Sequence, residues 1–80
     1  MNKTEIISTI NEFLVDEFEL DQDDLVADAS WKEIGIDSLD FVDIVVVVEN
    51  VFGIIIKGED MVNVKTLQEF YDFIELRLNN

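Results

Sequence analysis

Ile6, Ile7, Ile10, Phe13, Leu14 and Phe18 recur at three- and four-residue intervals, leaving one apolar stripe on a polar segment. That spacing predicts a helix over Lys3–Phe18 ending near Glu19, with Thr4 as N-cap and Glu5 placing an acid at the positive end of the dipole. A second stripe near the end of the chain comprises Leu67, Phe70, Tyr71, Phe73, Ile74 and Leu78. It follows Thr66-Leu67-Gln68-Glu69, which fits a capping box, and so predicts a last helix. Between Leu20 and Asp37 no periodicity is sustained, and the segment reads as a long loop. Its apolar residues, Leu20, Leu25, Val26, Trp31, Ile34 and Ile36, are expected to drop onto the core. Ser30-Trp31-Lys32-Glu33 has the capping-box pattern and predicts a short helical turn.

The stretch Ser38–Phe52 is the hardest to assign. Val42 and Ile44 through Val48 are β-branched, which favours a strand. Against this, the stretch runs to about 15 residues, long for a strand, and Asp40, Asp43 and Asn50 fall on one side of a helix. Asp37 is positioned to cap it, Leu39 to turn inward and anchor its first turn, and Gly53 to end it. We read a helix. Ile54–Ile56 reads as extended chain, and Gly58–Val62 as one further turn. The fold class is all-α: three main helices plus one or two short ones in a small bundle with a long first loop.

Eighty residues bound this to one domain, 1–80. Nineteen acids against five bases give a net charge of −14, yet 49% of the residues are hydrophobic, so the chain is not a disordered acidic tail. Such a surface repels phosphate backbones and anionic lipid, making nucleic acid and membranes poor partners, and attracts proteins with basic patches. Like charge also favours a monomer. The apolar runs Ile44–Val48 and Ile54–Ile56 are far shorter than the ~20 residues of a membrane span. No apolar signal core follows Lys3, and the expected location is cytoplasmic. With no Cys and no His, the chain offers no disulfide, no thiolate, no Cys-based metal site and no usual general base. The acids between Asp16 and Asp28 begin like a calcium loop at Asp21-Gln22-Asp23. Leu25 and Val26 then stand where an oxygen ligand and a glycine are needed, and no metal site is expected.

Ser38 stands out. It lies in Ile34-Gly35-Ile36-Asp37-Ser38-Leu39-Asp40, where the loop becomes a helix. Free backbone N–H groups at such a position favour an anion, and a phosphate bonded covalently there need not be captured against the surrounding carboxylates. By spacing alone a plain helix cap explains the serine as well. A hydrolytic nucleophile is ruled against by the missing His and the missing Gly-x-Ser-x-Gly elbow.

The segment Trp31–Asp40, with Asp37-Ser38-Leu39 opening the second helix, resembles the modification segment of acyl carrier proteins. The likeness runs on through Val42-Asp43-Ile44-Val45 to Glu49, Phe52 and Ile56, then to Val64-Lys65-Thr66-Leu67 and Phe73-Ile74. The resemblance implies that Ser38 carries 4′-phosphopantetheine, donated from coenzyme A by a phosphopantetheinyl transferase. It also implies that the chain is not an enzyme but shuttles acyl groups between fatty-acid-synthesis enzymes. By the same resemblance Asp37, Leu39, Asp40, Asp43, Val46, Val47 and Glu49 form the partner-recognition surface, meeting basic patches on those enzymes; the valines are alternatively plain exposed filler. Val45, Val48, Phe52, Ile56, Met61, Val64 and Ile74 are the matching acyl-cavity positions, each equally readable as core.

The sequence departs from the family pattern in four places. Val45–Val48 stand where Ala, Met and Leu are more usual, Asn50 replaces an acid, and Gly53–Lys57 lacks the expected acids and Pro. Phe70 and Tyr71 replace smaller residues. These departures suggest a specialised paralogue serving a bulky or unusual acyl group. Polyketide, D-alanyl and peptidyl carriers are the alternatives within the class, and an unmodified acidic interaction module the alternative outside it.

Overall fold

A computed structural model describes residues 1–79. The described residues form four helices, α1 (Lys3–Phe18), α2 (Phe41–Phe52), α3 (Gly58–Val62) and α4 (Leu67–Leu78), and a 3-10 turn at Gln22–Asp24. The described residues contain no strand, only an isolated bridge between Ser30 and Thr66. None of the helices is long and apolar enough to cross a membrane.

α1 forms where its stripe predicts, burying Ile6, Ile10, Phe13 and Leu14. Its cap is Asn2, not Thr4. The Glu5 N–H donates to Asn2 Oδ1 at 2.8 Å and the Asn2 N–H donates to Glu5 Oε1 at 3.1 Å. Asn is at least as good a cap as Thr, and here it gains the reciprocal Glu bond that completes the box. The helix stops at Glu19, which takes the left-handed conformation with φ 55°.

The long loop is held by its own core residues: Leu25, Ala29, Trp31, Ile34 and Ile36 are buried, and Leu20 packs half-buried against them. Val26 does not join them and remains 51% exposed. It opens a turn closed by the Ala29 N–H to its carbonyl at 3.0 Å, and Ala29 is the member of that turn facing the core. The Ser30–Glu33 box forms in both directions, Ser30 N–H to Glu33 Oε1 at 3.0 Å and Glu33 N–H to Ser30 Oγ at 3.2 Å. Hydrogen bonding from Ser30 to the carboxyl, from its backbone N–H first and its side chain second, lowers the Glu33 pKa from its ordinary value.

α2 is a helix despite its valines because tertiary burial follows a helical period. Ile44 and Val48 are fully buried, Phe41, Val45 and Phe52 are half-buried, and Val42, Asp43, Val46, Glu49 and Asn50 face outward. A strand would alternate instead. The helix begins at Phe41 rather than Ser38, since residues 38–40 form a separate turn. Gly53, at φ 72°, ends it, its N–H reaching the Glu49 carbonyl at 2.9 Å.

The N-terminus of α4 explains why the loop is ordered. Thr66 Oγ1 accepts from the Glu69 N–H at 3.2 Å. Glu69 does not complete the predicted box but reaches one residue further, to the Lys65 N–H at 3.2 Å. The two remaining free donors of the first turn are taken by the loop, Leu67 N–H by the Ala29 carbonyl at 3.0 Å and Gln68 N–H by the Ala27 carbonyl at 2.8 Å. α1 packs on α4 and α2 on α3. Tyr71 donates its hydroxyl to Asn11, and Lys3 joins Asp72 and Glu75, so polar contacts also tie α4 to α1.

Candidate functional site

The turn that carries Ser38 is built by two aspartates. Asp37 Oδ1 accepts from the Leu39 N–H at 2.9 Å and from the Asp40 N–H at 3.3 Å, while Asp40 Oδ2 accepts from the Asp37 N–H at 3.1 Å. Asp37 therefore closes this turn and does not cap α2 as its position predicts: the N-cap of that helix is Asp40, which makes no side-chain capping bond. The backbone donors expected to favour an anion at Ser38 are thus already occupied at Leu39 and Asp40, so the turn's own amides are not what would receive a phosphate. The Ser38 side chain is exposed, and its hydroxyl makes no hydrogen bond among the described residues.

Ser38 lies on the lip of a cleft of about 390 Å³. Trp31, Phe41, Met61, Val62 and Val64 supply its apolar walls, and Ser30, Lys32 and Lys65 complete its rim. Its size falls at the lower end of small-molecule sites, about 300–1,000 Å³. Trp31 fixes the geometry. Its indole N–H donates to the Val64 carbonyl at 2.7 Å, and its ring meets Phe41 and Phe70 edge-on with centroids 5.9 and 5.2 Å away. That bond ties the loop before Ser38 to the segment between α3 and α4, which together supply most of the cleft's lining.

Of the predicted cavity residues, only Met61 and Val64 line this cleft. Val48, Ile56 and Ile74 are buried in the continuous core, with Val45 and Phe52 packed half-buried against it. The predicted recognition residues separate similarly. Leu39 does not turn inward: it is 81% exposed, because Asp37 rather than an apolar anchor closes the turn. Asp37, Asp43 and Glu49 are exposed, Val46 is 50% exposed, and Asp40 and Val47 are intermediate. Sequence reasoning missed Val42, 63% exposed, although its three- and four-residue spacing from Leu39 and Val46 marks the same outward stripe. It also missed Phe41, Trp31 and Val62 as cleft walls.

Residues 7–74 match the family model for the phosphopantetheine attachment site. The chain is 31% identical over 80 residues to the acyl carrier protein of Petrotoga mobilis, covering 99% of this chain and 94% of that one. It is 35% identical over 75 residues to the acyl carrier protein of Thermosynechococcus vestitus, covering 92% and 93%. Acyl carrier protein 2, chloroplastic, of Spinacia oleracea is 33% identical over 79 residues, covering 98% of this chain and 61% of that one. The chain belongs to the acyl carrier protein family.

The cofactor of that family is 4′-phosphopantetheine, and the cleft fits it. A free hydroxyl at the lip suits a phosphodiester, two lysines among the lining residues suit its charge, and apolar walls suit an arm of alkyl and amide segments. When attached, the group supplies a terminal thiol that holds an acyl chain as a thioester, which is the sulfur chemistry the cysteine-free chain lacks.

Proposed function

We propose that residues 1–80 act as one stand-alone carrier domain that holds acyl groups on a phosphopantetheine arm at Ser38 and delivers them to fatty-acid-synthesis enzymes in the cytoplasm. The observation that carries this reading is the unbonded, exposed Ser38 hydroxyl on a turn rigidly capped by Asp37 and Asp40, at the lip of an apolar cleft. In the loading step Ser38 Oγ forms the new P–O bond to the pantetheine-side phosphorus of coenzyme A. The pyrophosphate bridge breaks and adenosine 3′,5′-bisphosphate leaves. The hydroxyl proton goes to a base on the transferase, since the chain has no His.

The chain supplies no catalytic group of its own. Its role toward partners is display: Leu39, Val42 and Val46 form an outward apolar stripe beside Asp43 and Glu49, with Asp37, Asp40 and Val47 at its margins. Carboxylates around an apolar centre suit basic enzyme surfaces, speeding encounter without demanding long residence. Val45, Val48, Phe52, Ile56 and Ile74 are the core residues that would part to admit a chain beyond Met61 and Val64, each buried CH₂ contributing about 0.8 kcal/mol.

The test is intact mass before and after incubation with coenzyme A and a broad-specificity phosphopantetheinyl transferase. Wild type is expected to gain one phosphopantetheine mass and Ser38→Ala none. No gain in folded, unmodified wild type would overturn the attachment reading and leave an unmodified acidic interaction module as the alternative.

A further inference from the structure

The five bases of the chain are not spread evenly. Lys3 is paired with Asp72 and Glu75, Lys57 lies beside Glu59, and Arg77 donates to the Ile55 carbonyl at 2.8 Å while its guanidinium lies over Phe73. The other two, Lys32 and Lys65, form no ion pair among the described residues, and both line the cleft that Ser38 edges. They come from opposite sides: Lys32 from the loop before Ser38, Lys65 from the segment before α4, joined across the cleft by the Trp31–Val64 bond. In a chain of net charge −14, the two lysines without an ion-pair partner among the described residues thus border the same cleft. The carboxylates nearest Ser38, Asp37 and Asp40, accept from backbone N–H groups, as Glu69 does from that of Lys65, and none of them is ion-paired with either lysine.

We propose that Lys32 and Lys65 are positioning residues that hold the phosphodiester of a Ser38-linked phosphopantetheine at the cleft rim, laying the arm over Trp31 and Phe41 while no partner is bound. This rests on the attachment reading above. The amides of Leu39 and Asp40 are occupied, so the lysines supply the positive charge that the turn does not. The attraction is between exposed charges and is screened by salt, so the arm is released readily when a basic partner surface competes for its phosphate.

Trp31 is the sole tryptophan and therefore a built-in reporter. Wild type and the double variant Lys32→Gln/Lys65→Gln would each be loaded with phosphopantetheine and the mass gain confirmed first. Trp31 emission, the ³¹P shift of the phosphodiester and cross-relaxation between the arm methyls and the Trp31 indole would then be compared with the unloaded proteins. The expected result is that loading shifts Trp31 emission and gives arm–indole cross-peaks in wild type at low salt. Both effects should fall at least threefold in the double variant, and in wild type on raising NaCl from about 0.05 to 0.5 M. Both lysines are exposed, so the variant should fold, and the salt series needs no variant. Equal spectra from fully loaded wild type and double variant, or no salt dependence, would overturn the lysine clamp while leaving attachment intact. Failure to gain mass would overturn the attachment reading and the clamp with it.

Discussion

Replacing Trp31 by phenylalanine tests whether one buried hydrogen bond holds the site together. Trp31 is only 6% exposed, and its indole N–H is the partner of the Val64 carbonyl at 2.7 Å. Phenylalanine leaves that carbonyl unpaired away from water, at a cost of about 1–3 kcal/mol. Shrinking indole to phenyl between Phe41 and Phe70 loses packing and edge-on aromatic contact of about 1 kcal/mol more. The expected loss is therefore about 3 kcal/mol. An 80-residue domain has a total of only about 4–12 kcal/mol at ordinary stability per residue. With a guanidinium m-value of about 2 kcal/mol per molar for so small a domain, the unfolding midpoint should fall by about 1.5 M. Far-UV circular dichroism is the right probe, since the variant has no tryptophan. The amides of Leu67 and Gln68, bonded to the loop carbonyls of Ala29 and Ala27, should lose hydrogen-exchange protection before those of α1. A midpoint within about 0.3 M of wild type would refute the claim that this bond ties the loop to the α3–α4 segment.

Three further outcomes follow from the same geometry. Leu39→Ala should leave stability within about 0.5 kcal/mol, because the side chain is exposed, yet lower acyl-transfer kcat/KM with a partner enzyme about tenfold if Leu39 is a contact anchor; steady-state assays beside thermal melts separate the two. Lys3 holds the Asp72 carboxyl below its ordinary value of 3.8, chiefly through the side-chain hydrogen bond. A depressed carboxyl stabilises above its unfolded pKa and loses that contribution as pH falls through the folded one. Lys3→Met should thus be less stable than wild type from about pH 5 to 9, with the gap closing below pH 3.8, as read from denaturation midpoints across pH; a constant gap would exclude this pair as its origin. Glu19 sits at φ 55° at the end of α1, a conformation that costs a side-chain-bearing residue about 1 kcal/mol. Glu19→Gly should raise the melting temperature by a few degrees, and a fall would show that the carboxylate itself is needed there.

The two long apolar stripes and the Gly53 stop were legible because each depends on residues a few positions apart, whereas Asp37 closes the turn before α2 and not the helix it was expected to cap. The valine-rich α2 was legible through its polar positions, not its propensity. Thr4, Leu39 and Val26 were misplaced for a shared reason: each has a suitable type for the role assigned, but a neighbour performs it better. Asn2 makes the reciprocal bond with Glu5, Asp37 closes the turn that Leu39 was to anchor, and Ala29 fills the inward position of the turn that Val26 opens. The cavity residues were taken from resemblance, which gives positions but not where space remains between them.

From the sequence alone came the helical class, the acidic surface, the exclusion of His- and Cys-based chemistry, and Ser38 as the residue to test. These depend on composition and on spacings within one or two helical turns, where backbone geometry leaves few alternatives. Only the tertiary structure brought Trp31 onto the Val64 carbonyl, placed the Ala27 and Ala29 carbonyls on the first turn of α4, and set Lys32 and Lys65 on one cleft. Those partners lie more than 30 residues apart, and no local rule fixes which loop atoms will meet an unpaired donor or carbonyl. Burial decides it, because a polar group taken from water must find a partner wherever the packed chain offers one.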